Sequence, residues 1–466
     1  MPEKYHIKTA PVPPRRPRIG RFGVVDWRED CAGCHNCVKR ACVYDRYRQE
    51  MQFIRDASTV DALFFECMGC FSCVQKCTKG LLSLAINPAY ERLGNSYWTP
   101  DIILTTWSQA ETASIPVSGA GYRGRFSGPG FDAMWTDMSE IVRPTRDGIH
   151  GREYISTAVD IGRKPSVLDF TKKADAPPLV GIPVPLIIDM MPPEYRRPEL
   201  LPVIEGAAVR TGTIAIIDAR DWGLLPRDKE KDLSHLAFYL DAESRLPEPG
   251  LLRKTRLVEI SDGKNVIERI SEIKGVHPGI VVAIRIPLDE HGPERALQLA
   301  HNPAVEAIHI VAGINGNQTG VPTPRFIKDI TRQIHTTLVK DGVRDGVTII
   351  AGGGIALAEH LAKEIICGAD VVTVNIPLLI ALECQLCRKC RPGAACPARV
   401  DEITLAYGVG RMTNLIAAWH DQLIEVMGAM GIRDARRLRG ETGRAMFFEE
   451  IEEETFGKLF GSRKGK

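Results

Sequence analysis

The chain has almost no excess charge of either sign: 60 lysines and arginines face 58 acidic residues over 466 positions, a formal balance of +2. A near-neutral surface gives a nucleic acid nothing to hold in bulk, so that partner class is set aside. Long apolar runs are also missing. The longest, VGIPVPLII and VNIPLLIALEC, are short and broken by proline, and a membrane helix needs about 20 apolar residues. With no span and no signal peptide in the sequence, a cytoplasmic protein is expected. Scattered cysteine is rare as well: of the 13 cysteines, only Cys367 stands apart from three tight clusters, and it reads as a small core residue. That distribution excludes a disulfide framework and points to metal centres.

The most informative stretch runs from Ile349 to Cys396. An apolar run ending in Gly352, Gly353 and Gly354 is followed by the helical spacing of Leu357, Leu361 and Ile365, then by the apolar run Val371 to Val374. This is a βαβ unit of a parallel sheet. Glycines at a strand's C-terminal end let backbone amides approach an anion, and the next helix offers its positive end. A phosphate is the expected guest; a tight turn is the competing explanation. Cys384, Cys387, Cys390 and Cys396 follow at once, a density that suits a metal centre. A phosphate site beside thiolates suggests a flavin next to an iron–sulfur cluster.

Two further runs lie near the N-terminus: Cys31, Cys34, Cys37 and Cys42 as C-x2-C-x2-C-x4-C, and Cys67, Cys70, Cys73 and Cys77 as C-x2-C-x2-C-x3-C. Paired C-x2-C motifs also make zinc sites, but three cysteines at successive x2 spacing, repeated, favour two iron–sulfur clusters. The pair of runs resembles a bacterial two-cluster ferredoxin. The resemblance implies two [4Fe-4S] clusters, one on Cys31, Cys34, Cys37 and Cys77, the other on Cys67, Cys70, Cys73 and Cys42. Val43 and Thr78 stand where proline is usual, and the first run has one extra residue before Cys42.

Five segments are expected. Residues 1–20, with Pro11, Pro13, Pro14 and Pro17 among arginines, form an extended arm; simple disorder is the alternative. Residues 21–90 carry the two-cluster module, and 91–177, where periodicity fades outside FDAMWTDMSEIV, form an irregular bridge. Residues 178–400 form a barrel, and 401–466 closing helices and a tail. In the barrel segment seven strand-like runs (VPLIIDM, GTIAIID, TRLVEI, IVVAIRI, AIHIVAG, VTIIAGG and DVVTVN) alternate with helical patterns, as in an α/β chain with a TIM-type (β/α)8 barrel. No glycine fingerprint supports an open dinucleotide-binding sheet. Sites on such barrels lie at the C-terminal strand ends. That selects Asp189, Asp218, Gly352, Gly353, Gly354 and Asn375 as cofactor residues, and Arg285, Asn315, Asn317 and Gln318 as catalytic ones. Arg285 is expected to stabilise an anionic reduced flavin or a carboxylate; for Asn315, Asn317 and Gln318 a polar turn is the alternative.

The order GGG, helix, CGADVVTVN, PLLIALEC, CRKC, CP resembles the FMN-binding synthase domain of glutamate synthase, archaeal-type and split, and NLIAAWHDQLIEVMGAMGIRDARRLRGETGR resembles its closing helix. The close likeness covers residues 347–444, and a looser one reaches back to 178. It implies FMN and a third Fe–S cluster on Cys384, Cys387, Cys390 and Cys396. The family spacing C-x5-C-x4-C holds three irons; here both intervals are x5 and Cys387 is an added thiolate, so a four-iron cluster is expected. The family's lysine is Arg285 in this chain, its GHDGGTG loop reads GINGNQTG, and its early serine- and glycine-rich loops are replaced by MMPPEY and DARDWGLL. The first expectation is therefore an electron-relay subunit working with ferredoxin- or dehydrogenase-type partners. The second is the synthase subunit of a ferredoxin-dependent glutamate synthase, making glutamate from 2-oxoglutarate and ammonia supplied by another subunit. The third is a structural relic without FMN.

Overall fold

The computed structural model describes residues 5–17, 19–26, 43, 70–115, 128–136, 154–165, 177–225, 232–387, 390 and 396–461. Of the cluster cysteines, Cys31, Cys34, Cys37, Cys42 and Cys67 lie outside the described residues.

Eight parallel strands close into a barrel in sequence order: β1 (Leu186–Ile188), β2 (Ala215–Asp218), β3 (Leu236–Leu240), β4 (Leu257–Ser261), β5 (Val281–Pro287), β6 (Ala307–Val311), β7 (Thr348–Gly352) and β8 (Val371–Val374), which pairs back with β1. Their branched aliphatic runs do not alternate with polar residues because both faces are covered: every residue of β1, β2, β7 and β8 is buried. The expected TIM-type barrel is confirmed. The strand absent from the seven runs is β3, LAFYL, which carries two aromatics and follows the charged stretch DKEKD.

The longer described helices in chain order are α1 (Pro100–Thr112), α2 (Leu201–Thr211), α3 (Val266–Val276), α4 (Gly292–Ala300), α5 (Ile327–Lys340), α6 (Ala358–Cys367), α7 (Ile376–Ala381) and α8 (Leu405–Ala429). On α5 the buried stripe Ile327, Ile330, Ile334 and Leu338 follows helical spacing. α6 is buried all round between α5 and α8. Cys367 at its end is fully buried, as expected of a core residue. After β2 and β3 the helical ring is reduced to a 3-10 turn, Ala219–Leu224, and a one-turn helix, Pro249–Leu252.

The bridge is not irregular throughout: α1 lies inside it. Thr99 caps the helix by accepting from the Ile102 amide, Pro100 opens it, and Ala113 closes it in the left-handed region. Its buried face mixes Ile102, Ile103 and Ala110 with Thr106 and Gln109, and those polar members hid the apolar periodicity. This face packs on α7 and α8. The arm runs extended over the same helices. The Val12 amide donates to the Glu111 carbonyl, Asn414 to that of Ala10 and Arg411 to that of Val12. A two-stranded ribbon, Phe22–Asp26 against Leu82–Ile86, and two short helices, Ser72–Lys76 and Pro88–Glu91, are the described elements of the two-cluster segment. No described helix is long and apolar enough to cross a membrane.

Candidate functional site

A cavity of about 460 Å³ opens at the C-terminal ends of the barrel strands, where the strands' last residues and the loops after them converge. Asp189, Asp218, Arg285, Gly353 and Asn375 line it. Asn315, Asn317 and Gln318 do not, although their neighbours Gly313 and Ile314 do. Gln318 instead donates to the Asp289 carbonyl and accepts from the Arg325 amide, and Asn317 bridges to Phe326. Both brace the loop after β6. Asn315 buries a side-chain oxygen that has no hydrogen-bond partner among the described residues.

The glycine triplet is demanded by packing. A Cβ on Gly352 would stand 2.1 Å from Thr373 Oγ1, and one on Gly354 would stand 2.4 Å from the Gly316 Cα. Gly353 and Gly354 also take φ of +105° and +69°, open to glycine at little cost. Behind the turn, the Tyr97 hydroxyl donates to the Gly354 carbonyl and Trp98 Nε1 to that of Ile314. Asn375 caps α7 by accepting from the Ile376 amide and donates to the Met190 carbonyl, tying the loop after β1 to the end of β8.

Arg285 is not a free cation. Its Nη1 and Nη2 donate to Asp189 Oδ1 and Oδ2 at 2.8 and 2.9 Å, and Nη1 also donates to Glu259 Oε1 at 3.0 Å. Glu259 Oε1 is 2.8 Å from His309 Nδ1, and His309 Nε2 is 3.0 Å from Thr373 Oγ1. A polar chain therefore runs through the barrel from Asp189, just past β1, by way of β5, β4 and β6 to Thr373 on β8. Burial alone pushes Asp189 up, but the Arg285 charge and hydrogen bonds, with His309 and the Met190 amide, hold it below the usual carboxylate range. Burial pulls Arg285 down, and the two carboxylates outweigh it, so the guanidinium stays charged. Asp189, Glu259 and His309 bring ligand atoms within 4.8 Å of one another, a spacing that suits a metal; here the guanidinium supplies the positive charge. Sequence reasoning missed Glu259, His309 and Thr373. The available signal was a charged or polar residue inside an aliphatic strand, LVEIS, AIHIV and VVTV.

The rim is paired in the same way. Asp218 accepts from Arg220 and faces Arg196 at 3.3 Å, and Arg196 also binds Asp221. Burial raises Asp218, but these guanidinium contacts leave it below the usual range.

The cysteine run begins directly after α7. Burial pushes the Cys384 thiol up to about 12; the Leu386 amide opposes this, while Cys390, Cys396 and Cys387 are near enough to add to it. Cys384 thus feels the other three thiols of the run, although no three of the four sulfurs lie within 4.8 Å of one another. Cys390, raised first by burial, also feels Arg197 and Glu194, both of which line the cavity. Thiols this reluctant to ionise become thiolates when a metal supplies the compensating charge. Backbone strain marks the same loops. Five non-glycine described residues have positive φ, and four of them, Phe71, Glu383, Leu386 and Arg399, lie within three positions of a cluster cysteine. Such conformations cost on the order of 1–3 kcal/mol each and persist where the surroundings, or a ligand, enforce them. Amides of Leu81 and Leu386 point at Cys77 and Cys384 sulfur at 3.2 and 3.5 Å.

Residues 246–433 match the family model described as the conserved region in glutamate synthase. An archaeal-type glutamate synthase (NADPH) of Dehalococcoides mccartyi is 24% identical over 90% of this chain and 93% of its own length. An archaeal glutamate synthase (NADPH) of Archaeoglobus fulgidus is 24% identical over 93% of this chain and 96% of its own. Among solved structures, an IMP dehydrogenase/GMP reductase-like protein from Corynebacterium glutamicum, 15% identical, superposes on 67% of this chain and 92% of its own at a TM-score of 0.41, a likeness too loose to bear on function. The family region spans β4 to α8, and the likeness to the two glutamate synthases extends over nearly the whole length of the chain.

Proposed function

We propose that this chain is an FMN-holding electron-transfer subunit. It relays electrons between ferredoxin-type iron–sulfur clusters and FMN within a larger redox complex, and does not itself make glutamate. The observation that carries the reading is the double pairing of Arg285. An iminoglutarate beside the flavin would need cations for two carboxylates, because an unpaired buried charge costs several kcal/mol. Arg285 is already committed to Asp189 and Glu259, and the rim arginines Arg196 and Arg220 are committed to Asp218, Asp221 and Asp241. Of the lining arginines only Arg197, whose Nη1 donates to the Arg196 carbonyl, has no carboxylate partner among the described residues, so the cavity offers one cation and suits a cofactor phosphate better than a dicarboxylate.

FMN would supply one- and two-electron chemistry at the cavity. Gly353 and the backbone of Ala312 to Ile314 are the groups placed to hold it, with Asn375 fixing the loop after β1 and Arg197 between cavity and cysteine run. In this reading Asp189, Asp218 and Gly353 would be cofactor residues. Arg285 becomes the residue that fixes cavity charge, and Asn317 and Gln318 become loop braces. Cys384, Cys387, Cys390 and Cys396 would hold the cluster next to the flavin, and the two N-terminal cysteine runs would carry electrons to it. Ferredoxin- or dehydrogenase-type partners in a reducing cytoplasm fit this wiring.

A second reading, the synthase subunit of a ferredoxin-dependent glutamate synthase, is favoured by the names of the relatives, which align over most of the chain. Flavin release on denaturation, read by fluorescence, tests the cofactor: about one FMN per chain is expected, and none would turn the barrel into the relic. Anaerobic iron and sulfide analysis should give about twelve irons per chain; zinc in their place would end the reading.

A further inference from the structure

The arm reaches the cysteine run of residues 384–396 at both of its ends, through one residue. The Arg15 amide donates to Glu383 Oε1 at 2.8 Å, and its Nε faces Glu383 Oε2 at 3.3 Å. Its Nη2 and Nη1 donate to the carbonyls of Ala398 and Arg399 at 2.7 and 3.4 Å. Glu383 directly precedes Cys384, and Arg399 follows Cys396 by three residues. Both ends are in the left-handed region, with φ of 69° and 42°, so both are places where the chain needs an external hold to keep its path. Glu383 is buried at 5% exposure, and Arg15 is the cation set against it. Arg15 also lies 5.1 Å from the centre of the Tyr407 ring, which carries Arg411 at 5.6 Å. Arg411, fully buried, donates to the carbonyls of Ala381, Val12 and Trp107. The end of α7, the arm and α1 are therefore tied together behind the cysteine run.

We propose that Arg15 is a positioning residue for the third cluster, pinning the two ends of its cysteine run and carrying a positive charge into the pocket that Cys396 also lines. The inference rests on reading residues 384–396 as an iron–sulfur site. Only a guanidinium has the fork needed here: Nε meets a carboxylate while two further nitrogens meet two separate carbonyls, a reach that an ammonium point charge lacks. Four thiolates around a cluster leave a net negative charge, so a nearby cation favours the reduced state. Its removal lowers the midpoint potential.

The test uses the full chain, purified anaerobically, as wild type, Arg15→Gln, Arg15→Lys and the neighbouring control Arg16→Gln. Iron and acid-labile sulfide are counted, and a redox titration is followed by electron paramagnetic resonance, with the two N-terminal clusters as internal reference. Arg15→Gln is expected to lose about a third of the iron, from about twelve to about eight per chain. The fraction that keeps the third cluster should titrate at lower potential, with the other two unmoved. Arg15→Lys should restore the potential but not the full iron content, and Arg16→Gln should match wild type. Full iron with an unshifted third signal in Arg15→Gln would overturn the proposal alone. A wild-type protein without a third cluster would overturn the underlying reading, and the proposal with it.

Discussion

Replacing Arg285 with methionine removes the counter-charge of two buried carboxylates at once. Asp189 and Glu259 are 2% and 1% exposed, so neither can turn to water. Each pair at contact distance is worth about 4 kcal/mol at an effective dielectric constant of about 20. Much of that attraction only offsets desolvation of the three groups, so the intact network adds little stability. Breaking it by removing one partner is a different matter and costs about 3–5 kcal/mol. For a domain of this size about 2–4 °C is lost per kcal/mol, so the unfolding midpoint should fall by roughly 6–20 °C at pH 7. The loss depends on pH. In the native protein Asp189 is held below its unfolded value, so its contribution is present above about pH 4 and fades as pH falls through the folded value. In the variant only His309 and the Met190 amide still oppose burial at Asp189, and its folded value rises. Its contribution is then complete below about pH 4 and is lost as pH rises. The gap between the two proteins should be wide at pH 7 and close toward pH 4. Adding Asp189→Asn and Glu259→Gln to Arg285→Met should recover most of the midpoint, because no unpaired charge remains. Thermal unfolding from pH 4 to 8 measures all of this. A gap that stays constant with pH would refute the ionised network.

Gly354→Ala should cost about 2–4 kcal/mol, because its Cβ would meet the Gly316 backbone at 2.4 Å in a left-handed conformation; calorimetry on the variant checks this. Cys387→Ser should convert the third cluster to a three-iron form with its own paramagnetic signal, and an unchanged spectrum would remove Cys387 from the ligand set. Glu364, pushed up to about 8 mainly by burial, loses stability for the fold as pH rises from the unfolded carboxylate value toward 8. Glu364→Gln should therefore match wild type near pH 4 and exceed it by on the order of 2–4 kcal/mol at pH 8; equal midpoints across that range would contradict the assignment.

The barrel was legible because a strand covered on both faces is a run of branched aliphatics, and seven of the eight strands are such runs. β3 is not, since Phe238 and Tyr239 interrupt LAFYL and no full helix follows it. α1 escaped notice for a related reason: Thr106 and Gln109 are buried in it, and their polar character hid its inward face. Strand-end residues of the site were legible from the rule that barrel sites lie there, and Asp189, Asp218, Arg285, Gly353 and Asn375 do meet at one cavity. Their pairing was not, because Arg285 is 96 residues from Asp189 and 26 from Glu259, and only closure of the barrel brings them into contact. The glycine triplet suggested a phosphate, while the contacts a Cβ would make at Gly352, Gly353 and Gly354 give a packing reason for all three members.

The central claim is that this cavity exchanges electrons without reducing an iminoglutarate. Stopped-flow reoxidation of the flavin, reduced anaerobically through a ferredoxin-type donor, tests it most directly when run with and without 2-oxoglutarate plus ammonium. The account predicts rapid reduction by the donor and reoxidation that is indifferent to the two additions, with no glutamate formed. Fast reoxidation that requires both additions, with glutamate appearing in proportion to flavin turned over, would contradict it and make the chain a synthase.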